Sequence, residues 1–420
     1  MKSAVVKGAA VHPQGLLKKS SCPWGKEGAY DISLLRRWVL KHYRMFSALL
    51  ALWLCMLFLP SAATAALERS VDETLAGLDL SAFQKAVEES DLFIQDAATL
   101  LKTLASGQAV MTGEEALRWL MGKAAGLFRD TLWRMTRLLV PALIAAVAEQ
   151  LHLNSGVSGA AHYGGLLLTM GFLVADLEAY VTLCKQSVTG MAGLMQALFP
   201  LLVTLLAAVG GTASSLFYQP AVMAAAGSMT ALVQQATMPL AVSVAVLTMV
   251  GGLSQQLRVG KLCKLFRQAA DWTLGLGFTV FIGVMTVQGL SAAAVDGVSI
   301  RTAKYAMDNF IPVVGGMFAD TVDTLVGSSL LIQNAVGVLG LLLLLGRLMT
   351  PLLRTVAAML LYRAVAALLE PMTDSPLCRC ISDYSEVFSL LFIIQLSVGA
   401  MFLLLVAQLV MVGHFTVMLR

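Results

Sequence analysis

Charged residues are scarce in this chain: 13% of its 420 residues are Asp, Glu, Lys or Arg, against about 25% in soluble domains. Hydrophobic residues make up 58%. A net charge of +4 is too small to indicate a nucleic-acid-binding face. The positions of the charged residues are instead used to predict how the chain is oriented in the membrane. The composition predicts an integral membrane protein that does not bind nucleic acid.

The chain also lacks the motifs of common enzyme classes. It contains no G-x-x-x-x-G-K-S/T loop for phosphates, no H-E-x-x-H and no G-x-S-x-G, and its 5 histidines are dispersed. Its 6 cysteines show neither zinc-site nor disulfide spacing, although Cys378 and Cys380 form a C-x-C. We therefore expect no enzyme activity, no metal and no cofactor.

The amino-terminal region has the order of an export signal. Basic residues, the last of them Arg44, precede an apolar run over 45–59, and a small-residue stretch ends at Ala65. This pattern predicts that residues 1–65 form a basic tail plus a signal peptide cleaved after Ala65, with an uncleaved signal anchor as the alternative. Residues 1–30 are interpreted as a tail or as the product of an overcalled start codon.

Residues 66–130 mix acidic and apolar side chains at helical spacing, as in Leu80, Phe83 and Val87. They predict an exported segment of amphipathic helices, with Ser81 and Thr112 as helix caps. An apolar stripe of this kind more often packs on its own neighbours than on a partner, so we expect local packing.

The remaining residues, 131–420, predict an all-α polytopic membrane domain. About nine stretches approach the length of roughly 20 residues that a bilayer requires, and they lie at 132–152, 164–184, 191–210, 217–234, 239–254, 270–291, 327–345, 352–369 and 387–412. The fourth and fifth are short and form either two spans or one re-entrant hairpin. Positive-inside logic places three regions in the cytoplasm: the loop with Arg258 and Arg267, the turn between Arg347 and Arg354, and the carboxyl terminus. Arg134 and Arg137, near the outer start of the first span, run against this rule.

Two segments of the chain contain prolines and a serine pair at matching spacing. Pro200, Ser214-Ser215 and Pro239 recur as Pro312, Ser328-Ser329 and Pro351, and Leu262-Cys263-Lys264 recurs as Leu377-Cys378-Arg379. This spacing predicts a duplication of about 190–290 onto about 303–410. With nine spans the copies would be inverted, as in many transporters; chance similarity among apolar residues is the alternative.

Three charged residues fall within predicted spans, where charge is costly. Asp176 and Glu178 lie in the second span and Arg363 in the eighth. They are candidates for a proton or ion relay, but an interhelical ion pair of Arg363 with Asp176 or Glu178 is the simpler interpretation.

A polar segment at 296–326, which we call the polar island, lies at the junction of the two repeats, and its amino-acid sequence is distinctive. The strings GVSIRTAKY, NFIPVVGGMFAD and TVDTLVGSS resemble the stage III sporulation protein AE family of endospore-forming bacteria. We place the island outside the membrane as a docking surface or, alternatively, a hinge at the membrane surface. Its candidate residues are Arg301, Lys304, Asp308, Asn309, Pro312, Asp320 and Asp323.

The resemblance implies a multi-pass protein of the mother-cell membrane around the forespore. In that family the expected partners are the other stage III operon A proteins and the forespore protein stage II sporulation protein Q. Together they form a channel or secretion-like complex needed for late forespore gene expression. The implied role is a conduit or permease-like core; a non-transporting scaffold for the ring subunits and an ordinary secondary transporter are the alternatives.

Overall fold

The computed structural model describes residues 80–88, 96–108, 110, 112–150, 155–253, 259–310, 315–371 and 376–418, which all belong to one compact unit. The predicted signal peptide and basic tail lie outside these residues. The regular structure of the described part is entirely helical, which confirms the predicted fold class. Its α-helices are α1 Ser81–Glu88, α2 Ala97–Ala105, α3 Gly113–Gln150, α4 Ser155–Ala208, α5 Thr212–Leu232, α6 Met238–Leu253, α7 Gly260–Phe310, α8 Gly315–Leu369 and α9 Pro376–Met418.

Six stretches in the described residues are long and apolar enough to cross a membrane, where the sequence predicted about nine. They lie in α3, α4, the continuous α5–α6 rod, α7, α8 and α9. The expected count of nine is not confirmed, because three pairs of predicted spans fuse into single helical rods. At about 1.5 Å per residue, the 54 residues of α4 extend about 81 Å, far beyond a hydrocarbon core of about 30 Å.

The helices continue through several positions where the sequence predicted a boundary between spans. Pro200 and Pro351 lie inside α4 and α8, which continue through them. Between α5 and α6, five residues, Val233–Thr237, form a π-helical turn that ends two residues before Pro239, so the rod continues here as well. The predicted turn near Arg347 likewise lies within α8.

A real reversal of the chain occurs between α4 and α5. Gly210 has φ 104°, a left-handed conformation that favours glycine, and the backbone N–H of Gly211 donates to the carbonyl of Leu206 at 2.9 Å. The chain therefore turns back sharply after α4, and α5 begins at once.

Contacts between helices fix their directions. In α8 and α9, Gln333 donates to the carbonyl of Leu409 at 3.2 Å, while Arg363 lies 3.5 Å from Glu386, so these two helices are antiparallel. Helix α4 runs parallel to α9, because Leu173 accepts a hydrogen bond from Tyr384 and Cys184 lies near the carbonyl of Leu391.

The inverted direction of the predicted repeat does not agree with these contacts. Arg267, near the start of α7, forms an ion pair with Glu386, near the start of α9. Both Leu-Cys-basic strings therefore lie at one end of the bundle, whereas inverted copies would place them at opposite ends. The duplication itself stays a prediction.

The short helices α1 and α2 cover part of the bundle. Phe83 and Val87 of α1 and Leu100 and Leu101 of α2 are buried, with α1 lying against α4 and α2 against α8. The side-chain oxygen of Gln84 joins the two helices by accepting the N–H of Ala97 at 2.7 Å. The predicted cap at Thr112 is confirmed by reciprocal hydrogen bonds with Glu115.

Candidate functional site

Asp176 lies where α3, α4 and α8 meet. Its carboxylate accepts a hydrogen bond of 2.6 Å from the hydroxyl of Tyr362 and lies 3.8 Å from the guanidinium of Arg134. The same guanidinium lies over the ring of Tyr180, 5.8 Å from its centroid. The carboxylate is thus matched by a cation and a hydroxyl donor.

Glu386 joins α7, α8 and α9 in a second charged group. It forms ion pairs with Arg267 of α7 and, at 3.5 Å, with Arg363 of α8. The hydroxyls of Ser385 and Ser389 lie 3.4 and 3.5 Å from the same two arginines. Because Glu386 is half exposed, each pair contributes only roughly 0.2–1 kcal/mol and acts chiefly by positioning the helices.

Four aromatic rings fill the space between these two groups. Tyr362 stacks on Phe388 with a centroid distance of 4.8 Å, and Tyr180 and Tyr384 meet Phe388 edge-on. Tyr362, Tyr384 and Phe388 are almost wholly buried. The hydroxyl of Tyr384 donates to the carbonyl of Leu173 at 2.8 Å, so this buried polar atom is satisfied.

We call Arg134, Asp176, Arg267, Arg363 and Glu386 the charged belt. Direct contacts connect its two parts, because Tyr362 bonds to Asp176 and the next residue, Arg363, bonds to Glu386. Three guanidinium groups face two carboxylates, which nearly balances their charge. The belt can hold helices in register; the rings at its centre leave little room for a solvated path.

The structure places the predicted intramembrane residues differently from the expected ion pair. Asp176 pairs with Arg134 and Tyr362, and Arg363 pairs with Glu386. Glu178 is exposed on α4. Asp176 and Arg363 each contact a neighbouring helix, but neither contacts the predicted partner.

The predicted docking surface falls mainly on residues whose side chains the structure does not describe. Its backbone is helical at the end of α7 and the start of α8, and Pro312 lies outside the described residues. The side chains outside the description are those of Arg301, Lys304, Asp308, Asn309, Asp320 and Asp323. That surface stays a prediction.

Sequence reasoning missed Glu386 and Tyr362 and treated Arg134 and Arg267 only as topology markers. A usable signal existed, because the strings Tyr362-Arg363 and Tyr384-Ser385-Glu386 each combine aromatic and charged residues at the edge of an apolar run. Polar residues of this kind at membrane depth usually need a partner.

No group of three or more His, Cys, Asp or Glu side chains suited to a metal ion occurs among the described residues. Four cysteines in this part of the chain are not joined in disulfides: Cys184, Cys263, Cys378 and Cys380. Cys380 is buried, with its sulfur 3.5 Å from the carbonyl of Thr248, and Gly252 leaves the room that it occupies.

Comparison with known proteins gives a family match over most of the chain. The model of the family described as stage III sporulation protein AE matches residues 95–413. The stage III sporulation protein AE of Bacillus subtilis (strain 168) is 32% identical over 308 residues, which is 72% of this chain and 77% of that protein. No solved structure matches the chain.

Proposed function

Because the chain belongs to the stage III sporulation protein AE family, we propose that it is a membrane subunit of the complex joining mother cell and forespore. In this proposal it is a multi-pass protein of the mother-cell membrane that surrounds the forespore. Its role is non-enzymatic and is required for late forespore gene expression. The family match, which includes every helix of the charged belt, carries the proposal.

The packing supports a scaffold role for a single copy. A conduit through the bundle would need a solvated path lined by Asp176, Glu178 or Arg363. Instead, Tyr362, Tyr384 and Phe388 fill the region beside Asp176 and Arg363, and both charges have partners. We propose that this bundle anchors and orients the other subunits of the complex.

One observation favours the conduit as a second candidate. Helix α3 exposes Arg118 and Arg129 along the flank of the apolar bundle. A path bounded by more than one copy of the chain would give these charges an aqueous environment without opening the packed interior.

The proposed partners are the other stage III operon A proteins and stage II sporulation protein Q. Antiparallel alternation of six membrane-crossing rods would place the start of α3, the polar island and the carboxyl terminus on one side. The Leu-Cys-basic strings of α7 and α9 would then both be cytoplasmic, in agreement with positive-inside logic, whereas the carboxyl terminus, which the sequence placed in the cytoplasm, would lie outside. This arrangement leaves the island facing the forespore, where a partner would reach it.

The test is deletion of the gene in its own host, followed by reporters of early and late forespore gene expression. We expect normal early expression, a loss of late expression and rescue by the wild-type gene. Normal late expression in the deletion strain would refute the proposed function.

A further inference from the structure

The second half of α4 exposes few apolar side chains for a helix of an apolar bundle. The first half exposes Tyr163, Leu167 and Leu168, but after Val174 no large apolar side chain of α4 is exposed. The exposed positions there are polar or small. Six of them form what we call the α4 seam: Thr182, Gln186, Thr189, Gly193, Gln196 and Pro200.

Helices α4 and α7 run in the same direction. The α5–α6 rod turns back on α4 after Gly210. Helix α7 is antiparallel to that rod, since Gly277 packs against Leu232, whereas Cys263, earlier in α7, lies 4.0 Å from the hydroxyl of Thr248, later in the rod. Two reversals make α4 and α7 parallel.

Helix α9 fixes the height of α7 relative to α4. Tyr384 bonds to the carbonyl of Leu173 in α4. Glu386, two residues further along α9, pairs with Arg267 of α7. Arg267 therefore lies level with about residue 175 of α4, and residues 272–287 of α7 lie level with about residues 180–195.

At this common height, α7 has the exposed face that suits lipid and α4 does not. The outward side chains of α7 are between 46% and 69% exposed, and all are apolar: Trp272, Leu276, Val280, Val284 and Val287. Residues 387–412 of α9 contain no Asp, Glu, Lys or Arg and begin at this height. The α4 seam therefore lies at the depth of the hydrocarbon core.

Lipid is an unfavourable covering for the α4 side of the bundle. Gln186 and Gln196 are exposed there and form hydrogen bonds with no other described residue. Two charges at the same height belong to this side, because Lys185 flanks the seam and Arg347 contacts Gly190 of α4. Polar and charged side chains at membrane depth normally face protein or water.

The spacing of the α4 seam matches that of a helix pair. Its residues alternate by four and three positions, as in a left-handed parallel coiled coil, which is also the common crossing of membrane helices. From Thr182 to Pro200 the seam extends about 27 Å, close to the hydrocarbon thickness of about 30 Å.

A second copy of this chain fits the seam without a separate complementary surface. Copies inserted in the same direction present parallel α4 helices at equal height, so identical residues meet. A carboxamide both donates and accepts, so Gln186 and Gln196 can each pair with their own equivalents across a two-fold axis. A Cβ added to Gly193 would meet nothing within 4 Å, which leaves room for the other backbone.

We propose that two copies of this chain pair through their α4 seams, about a two-fold axis along the membrane normal. Gln186 and Gln196 form hydrogen bonds between the copies, and Gly193 marks their closest approach. This pairing goes beyond the proposed function and does not depend on it.

Gly193→Leu separates pairing from folding. The added side chain has open space within one copy but would push the second α4 away. In liposomes of phosphatidylcholine and phosphatidylglycerol, we expect the dissociation constant of the full-length dimer to rise by about tenfold or more, as measured by single-molecule fluorescence. Gly275→Leu is the matched control, because its Cβ is equally open on the lipid-facing side of α7.

The glutamines provide a second, milder test. Gln186→Leu with Gln196→Leu keeps the size of the side chains but removes the hydrogen bonds, so the dimer should again weaken by about tenfold or more. Gln219→Leu, at an exposed glutamine of α5, should leave the dissociation constant unchanged.

Disulfide cross-linking locates the contact, using a chain whose native cysteines are replaced by alanine. Thr189→Cys and Gly193→Cys should form linked dimers on mild oxidation. Val280→Cys, on the exposed apolar side of α7, should not.

A monomeric wild-type chain overturns the proposal, as does a Gly193→Leu variant that pairs as tightly as Gly275→Leu. Thr189→Cys that reacts with a charged, membrane-impermeant thiosulfonate but forms no cross-link would reveal a water-lined face, which also contradicts the pairing. None of these outcomes affects the forespore reporters, so failure of the pairing and failure of the sporulation role can be distinguished.

Discussion

Removing one oxygen atom from the bundle centre measures how far the Asp176 carboxylate stabilises the fold. Tyr362→Phe keeps the ring that stacks on Phe388 and deletes only the hydroxyl bonded to Asp176 at 2.6 Å. No large cavity is created, so the change in the free energy of unfolding reports mainly the lost hydrogen bond.

The expected loss of unfolding free energy follows from the charge of the hydrogen-bond acceptor, Asp176, and from its exposure to water. Hydrogen bonds to charged groups contribute roughly 1.5–3 kcal/mol to stability, whereas interhelical hydrogen bonds in membrane proteins contribute about 0.6 kcal/mol on average. The Asp176 side chain is 27% exposed, so water can replace part of the lost interaction. We expect Tyr362→Phe to lower the free energy of unfolding by about 1–2 kcal/mol, a factor of roughly 5 to 30 in the equilibrium.

The assay is reversible unfolding in mixed detergent micelles with increasing dodecyl sulfate, followed by tryptophan fluorescence. Tyr384→Phe is the matched control, because its hydroxyl bonds to the neutral carbonyl of Leu173 and should contribute about 0.5–1.5 kcal/mol. In an Asp176→Ala background the cost of Tyr362→Phe should fall close to zero. An unchanged cost in that background would refute the role assigned to the carboxylate.

Three further predictions follow from other contacts. Gly165→Ala should destabilise the bundle by about 1–3 kcal/mol, because its Cβ would lie 2.8 Å from Ala145, whereas Gly164→Ala has open space and should be neutral in the same unfolding assay. Arg267→Glu should weaken the attachment of α7, because it would place a second carboxylate against Glu386, whereas Arg267→Lys should retain most of it, as read by protease resistance of α7; equal resistance of the two variants would contradict the pair. Charge reversal at any of four residues of the polar island should block late forespore expression while membrane insertion persists; these are Arg301, Lys304, Asp320 and Asp323. Normal sporulation in all four variants would argue against the island as a functional surface.

The membrane class and the helical fold could be predicted because they depend on composition and apolar run length. Span count could not, since it depends on whether a helix breaks at a charge or a proline. Pro351 lies inside α8, and the π-helical turn continues into Pro239, so both look like boundaries in the sequence and act as interior positions in the structure. A hydropathy window of about 20 residues cannot show that a helix such as α4 continues for 54 residues.

The candidate site illustrates a second limit. Asp176 and Arg363 were recognisable as charges that need partners, but the partners come from helices distant in sequence. Tyr362 lies 186 positions from Asp176, and Arg267 lies 119 from Glu386. Such pairs depend on which helices become neighbours and in which direction they run, which hydropathy alone does not determine.

The central claim is that six antiparallel rods place both Leu-Cys-basic strings on one membrane face and the polar island on the other. Single cysteines at Lys264→Cys, Arg379→Cys and Lys304→Cys, in a chain without native cysteines, test it by labelling in intact and opened cells. The account predicts that the first two share one side and that the third is labelled from the opposite side. Labelling of Lys264→Cys and Arg379→Cys from opposite sides would contradict it.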